Sequence, residues 1–173
     1  MSQIHHVKAH EGEHYSLAGD VVTIKVSADN SANSMLVVDA RVPAGGGPPA
    51  IHRNQASKVF YFLEGSFDIY SLDSNHKINI IRAEPGDIVS IPAMQWHNIK
   101  NIGSTTGRYL GIHSPPQMEP FIREVGQQIQ EATNLPSIST ATEQKQPLIN
   151  LVNQYMEILP PEQFNQKEFQ QGE

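Results

Sequence analysis

Cysteine is absent from the chain. That one absence removes disulfide bonds, thiolate metal sites and thiol nucleophiles together, and it fits a reducing, cytoplasmic setting. Charge is sparse as well: Asp, Glu, Lys and Arg make up 17% of the residues, and the formal net charge is -6. An acidic surface gains nothing from a phosphate backbone, so nucleic acid is not an expected partner. No run approaches the ~18 apolar residues of a membrane span. The opening Met-Ser-Gln-Ile-His-His lacks the basic-then-apolar order of a secretory leader, so no membrane partner is expected either. What is plentiful is punctuation, with 12 glycines and 12 prolines in 173 residues. That abundance favours a turn-rich β protein over a helical bundle. The length suits one domain with some chain left over.

Short β-branched and aromatic runs alternate with turn signals along most of the sequence. Asp20–Val26, Met35–Val42, Val59–Leu63, Phe67–Leu72, Ile78–Arg82, Ile88–Ile91, His97–Asn101 and Arg108–His113 each read as a strand. Gly45-Gly46-Gly47-Pro48-Pro49, Glu64-Gly65, Asp73-Ser74-Asn75 and Pro85-Gly86-Asp87 interrupt them. This rhythm, with no helical period inside it, predicts an antiparallel sandwich or barrel. Beyond Pro116 the period changes. Phe121, Ile122, Val125 and Ile129 recur at helical spacing, as do Leu148, Leu151, Val152, Tyr155 and Leu159 behind Pro147. Helices are expected over Pro120–Ala132 and Pro147–Leu159, packed on the barrel, with residues 133–146 as a polar linker. The expected organisation is an N-terminal arm at 1–19, a barrel at 20–115 and a helical tail at 116–173.

Two spaced patterns occupy the centre of the chain. In the first, Gly46 is followed by His52, Asn54, Lys58 and Gly65; in the second, Gly86 is followed by Pro92, His97 and Asn101. They resemble the two motifs of the cupin superfamily, G-x5-H-x-H-x3,4-E-x6-G and G-x5-P-x4-H-x3-N. The second matches at every defined position. The first keeps both glycines and the leading histidine but has Asn54 for the second histidine and Lys58 for the glutamate. The flanks, Ser114-Pro115-Pro116 and Glu119 to Gly126 among them, are similar to single-domain quercetinase-like cupins. The resemblance implies an all-β double-stranded β-helix, the jelly-roll barrel, with a C-terminal α-helical appendage. Residues at i and i+2 on a strand share a face, so His52 and Asn54 can both enter the lumen. A one-residue shift would put Ile51 and Arg53 there instead.

In typical members of the superfamily three imidazoles and one carboxylate hold a divalent metal, a donor set that suits iron, manganese, nickel or copper. Here two of the four positions remain, and Lys58 places an ammonium where an anion belongs. The expectation is therefore a barrel that binds a small molecule in its lumen, with no cofactor. The ligand-binding candidates are His52, Asn54, Lys58, Phe60, His97 and His113, and no catalytic residue is assigned. One alternative is a metal-dependent dioxygenase with substitute ligands, in which His52 and His97 would hold Fe, Ni, Mn or Zn. Another is a non-catalytic structural or sensing barrel. A homodimer is expected, with Val21-Val22 or the helical stripes as the apolar surface.

Other histidines carry blander readings. His10-Glu11-Gly12-Glu13-His14 matches H-E-x-x-H, but that metal motif requires a helix and Gly12 with its polar flanks argues for a surface segment. His5, His6 and His76 read as solvated. Lys58 itself has a bland alternative, an edge lysine that reaches solvent.

Overall fold

The computed structural model describes residues 3–132 and 151–160. Its elements include β1 (Glu13–Leu17), β2 (Asp20–Val26), β3 (Leu36–Val42), β4 (His52–Arg53), β5 (Ser57–Glu64), β6 (Phe67–Leu72), β7 (Ile78–Ala83), β8 (Ile88–Ile91), β9 (His97–Asn101), β10 (Gly107–Ser114), the helix α1 (Met118–Val125), β11 (Gln127–Ile129) and β12 (Glu157–Ile158). A seven-stranded sheet runs β11-β1-β2-β3-β10-β5-β8, and a five-stranded sheet runs β12-β4-β9-β6-β7, with antiparallel pairing throughout. The molecule is a jelly-roll barrel with a small helical part. Among the described residues no helix is long and apolar enough to cross a membrane.

Strand alternation decides what faces inward. On β10, Gly107, Tyr109, Gly111 and His113 are buried while Ile112 and Ser114 are exposed. On β5, Lys58, Phe60 and Phe62 are buried while Ser57 and Tyr61 are exposed. Phe60, Phe62, Phe67, Ile69, Ile99 and Tyr109 then fill the space between the sheets. Ile51, Tyr70 and Leu72 sit with Leu159 in a separate cluster. They have the opposite strand parity to His52, Ser71 and His97, so this cluster covers the outer face of the smaller sheet.

Gly47, next to the first motif glycine, and the motif asparagine Asn101 make the corners. Gly47 has φ +126°, and a Cβ there would lie 2.1 Å from the Ile99 carbonyl oxygen, so no other residue fits. The fully buried Asn101 donates from Nδ2 to the carbonyls of Val42 at 2.9 Å and Thr105 at 2.8 Å, and its Oδ1 accepts from Gly103 N at 2.9 Å. The terminal asparagine of the second motif is thus a loop clamp, which explains why the fold retains it.

The segments flanking the barrel differ from expectation. Glu13–Leu17, in the stretch read as an arm, is a full strand of the larger sheet. The helix after Pro116 spans Met118–Val125 rather than 120–132. Gly126 ends it by passing close to β1, where a Cβ would meet the Ile122 carbonyl oxygen at 2.4 Å and Tyr15 at 3.0 Å. Gln127–Ile129 then pairs with β1 as a strand. A helical turn occupies 151–155, and the chain enters β12 instead of remaining helical to Leu159. The polar linker at 133–146, the residues 147–150 and everything after 160 lie outside the described residues. Val21 and Val22 are buried, as are Phe121, Ile122 and Val152, so none of these offers free surface for a dimer.

Candidate binding site in the barrel lumen

Two histidines face each other across the β4–β9 ladder, where His52 pairs directly with His97. Their ring centroids are 4.5 Å apart with the planes tilted by 54°. His52 Nδ1 lies 3.1 Å from the Ala50 carbonyl oxygen, and His97 Nδ1 lies 2.8 Å from that of Gln95. A carbonyl can only accept, so both Nδ1 atoms carry the proton and both Nε2 atoms keep a lone pair. The alternative register is excluded: Ile51 sits in the outer cluster, and Arg53 bonds Glu157 at 2.8 Å while lying 4.3 Å over the Trp96 ring.

Asn54 and Lys58 are bonded to each other. Lys58 Nζ donates to Asn54 Oδ1 at 2.8 Å and to the Ala56 carbonyl at 3.3 Å. The amide is spent on holding this corner, since Oδ1 also accepts from Ala56 N at 3.1 Å and Nδ2 donates to Met118 Sδ at 3.1 Å. Lys58 is only 3% exposed and lies on β5, an interior strand, so it is not an edge lysine reaching solvent. No carboxylate pairs with it among the described residues.

His113 stands opposite Lys58 in the β10–β5 register. Phe60 packs edge-on to both the His113 ring, at 6.1 Å, and the Tyr109 ring, at 5.2 Å. His113 Nδ1 is buried without a hydrogen-bond partner. Its Nε2 hangs over Gly111, where a Cβ would lie 3.2 Å away. The six candidates therefore converge on one region. His5, His6 and His76 are exposed. His10 lies in a turn and His14 in β1, where its Nδ1 meets Thr23 Oγ1 at 2.8 Å; H-E-x-x-H is not helical here.

Burial governs the electrostatics. Desolvation, with the Lys58 charge as a smaller contribution, pushes His52 down to about 4 and His113 down to about 3. His97 is lowered further, because the neighbouring His52 adds to desolvation. Desolvation also lowers Lys58 to about 8. At neutral pH the lumen holds uncharged imidazoles and one lysine that is chiefly an ammonium.

One contributor to the site, and one buried carboxyl outside it, escaped the sequence reading. Met118 closes the Asn54 corner from α1, and nothing in a helical apolar stripe marks a thioether as a hydrogen-bond acceptor. Asp20 is buried at the start of β2 with Oδ1 unpartnered, and burial raises its carboxyl to about 7 despite a hydrogen bond from Gly47. The sequence reading placed Asp20 at the start of a strand, and nothing in that position marks its side chain as buried.

Residues 38–113 match the cupin domain family. The matched segment holds both spaced motifs, from Gly46 to Gly65 and from Gly86 to Asn101. Comparison with curated proteins found no match. Among solved structures, the Lactobacillus farciminis oxalate decarboxylase formate complex aligns with a TM-score of 0.55 at 15% identity, covering 67% of this chain and 35% of that one. The chain thus spans about a third of that protein. The polyketide cyclase RemF from Streptomyces resistomycificus aligns at 0.52 and 18% identity, covering 66% and 80%. Peruvianin-I, a cysteine peptidase from Thevetia peruviana latex, aligns at 0.52 and 19%, covering 63% and 68%. Proteins of such different activity share this architecture, so the likeness gives the fold, and function must come from the site.

The donor set can be tested against the metal that cupins of the usual pattern hold. His52 and His97 fit, with Nε2 free and the opposite nitrogen anchored. The other two positions do not. Asn54 is committed to Lys58, Lys58 offers a cation in place of an anion, and His113 turns its Nε2 toward Gly111. Among the described residues no group of three His, Cys, Asp or Glu is placed to hold a metal ion.

Proposed function

We propose that this cupin domain binds a small molecule in its lumen without the divalent metal of the usual cupin site. The observation that carries the reading is the 2.8 Å bond between Lys58 Nζ and Asn54 Oδ1. The two positions that would supply a carboxylate and an imidazole instead satisfy one another, leaving His52 and His97 as hydrogen-bonding imidazoles. Buried polar groups are costly unless partnered, and His113 Nδ1 has no partner among the described residues. The ligand that suits this lining has a compact apolar body against Phe60 and a carbonyl or carboxylate oxygen toward the amine and imidazoles.

The test is elemental analysis of protein purified without added metal, beside imidazole NMR spectra recorded with a panel of small carbonyl and carboxylate compounds. Metal well below one equivalent, with shifts at His52, His97 or His113, is the expected result. Stoichiometric iron, nickel, manganese or zinc at His52 and His97 would overturn it. That outcome would restore the second reading, a metal-dependent and quercetinase-like dioxygenase, which the free Nε2 pair 4.5 Å apart by ring centroid favours. A domain without either ligand would be a structural barrel.

A further inference from the structure

We propose that Lys58 captures a small aldehyde or ketone covalently, as an imine, in the lumen. The proposal rests on the binding function above and names its ligand class. A charged ammonium has three protons to place, whereas a neutral amine has two and a lone pair. Lys58 Nζ has two acceptors, Asn54 Oδ1 and the Ala56 carbonyl, and no carboxylate partner among the described residues. Two acceptors accommodate both protons of the neutral amine, so in the minority of molecules that have lost the third proton at neutral pH the lone pair is free. Its surroundings supply proton carriers as well. The Lys58 charge acts on His52, His97 and His113, so all three imidazoles are near, and the first two hold unprotonated Nε2 atoms.

The step balances without an oxidant or reductant. The Nζ lone pair forms a bond to the carbonyl carbon, and a proton passes from nitrogen to oxygen to give a carbinolamine. The C–O bond then breaks and the oxygen leaves as water, with the second N–H proton, as the C=N bond closes. An imidazole Nε2 can take the proton from nitrogen and return it to the departing hydroxyl. Desolvation of a lysine in an apolar pocket is a recognised way to make it nucleophilic at neutral pH.

The experiment treats the full-length protein with propionaldehyde and sodium cyanoborohydride at neutral pH and maps modified lysines by peptide mass spectrometry. An imine trapped by reduction leaves the mass of the probe less one oxygen. The expected result is modification of Lys58 faster than of the exposed Lys8 and Lys77 by about tenfold or more, since its amine is neutral in a larger fraction of molecules. A Lys58→Met variant that keeps the wild-type circular dichroism should lose this fast label; should it not fold, the wild-type map carries the test. In parallel, propionaldehyde is titrated without reductant while imidazole NMR is recorded. Shifted imidazoles with Lys58 labelled no faster than Lys8 would overturn covalent capture and leave lumen binding standing. No shift and no label would overturn both.

Discussion

At the residue scale, the lumen trades charge for burial, and the trade is visible in pH. An unfolded chain protonates His52 and His113 near the ordinary 6.5, whereas the folded chain resists until about 4 and about 3. Between those values the unfolded state binds more protons, so stability must fall as pH drops through that window. The midpoint of urea unfolding is expected to decrease steadily from pH 6.5 to pH 3, and less steeply in a His113→Leu variant. A flat profile would contradict neutral imidazoles. Asp20 works in the opposite sense. Its folded carboxyl is raised from 3.8 to about 7, so its contribution is full below 3.8 and lost as pH rises through 7. The loss is on the order of 4 kcal/mol for a shift of this size. Asp20→Asn should therefore stabilise the protein at pH 8 and change little at pH 4; equal effects at both would sink the argument. His52, Asn54, Lys58 and His97 were legible because motif spacing names positions, and Phe60 and His113 because strand parity turns them inward, whereas Met118 carried no such signal. The Asn54–Lys58 bond was not, because spacing says nothing about which partner a buried amide turns toward. That bond also makes a prediction: Asn54→His combined with Lys58→Glu should bind about one equivalent of divalent metal by elemental analysis, and neither single change should.

At the element scale, the central strands were readable because β-branched runs between Gly and Pro leave few alternatives, as Phe67–Leu72 and His97–Asn101 show. The flanks were not readable for a physical reason. Val125 and Ile129 keep helical spacing, but Gly126 lets the chain approach Tyr15 too closely for any side chain, and pairing with β1 then outweighs a short helix's propensity. Likewise β12 owes its existence to β4, which offers an edge to Glu157 and Ile158. What anchors this last segment should be apolar burial rather than charge. Leu159 is 2% exposed among Ile51, Tyr70, Leu72 and Ile78. Leu159→Ala should cost about 2–5 kcal/mol in chemical denaturation, the usual range for a buried leucine. Glu157→Ala removes a solvent-facing ion pair to Arg53 and should cost about 1 kcal/mol or less. If the charge change proved the larger, the outer cluster would not be what holds the strand.

At the scale of the whole molecule, the question is what covers the larger sheet. Its outer face carries Val37 on β3, Leu110 and Ile112 on β10, Val59 and Tyr61 on β5, and Ile88 on β8. In register, Val37 meets Ile112, Ile112 meets Val59, Leu110 meets Tyr61, and Tyr61 meets Ile88. Ile88 is 66% exposed and Tyr61 and Ile112 are each 39% exposed. A contiguous apolar face of this kind is uncommon on a monomer. We propose a second copy of the chain as its occupant. Each copy carries a net charge of -6, so two copies repel except where the contact is uncharged, and Arg108, Asp39 and Glu64 of this sheet are paired with one another. A two-fold axis through Tyr61 and Ile112 would set apolar side chains on their own counterparts, which is what an isologous interface demands. Val21, Val22, Phe121, Ile122, Val152 and Leu159 are buried in the core and cannot serve. Light scattering at micromolar concentration should therefore give twice the chain mass. Ile88→Lys with Tyr61→Lys should give the single mass while preserving the fold by circular dichroism, because both side chains point away from the core. A wild-type protein already at the single mass would refute the dimer, and a double variant that stayed dimeric would move the interface elsewhere.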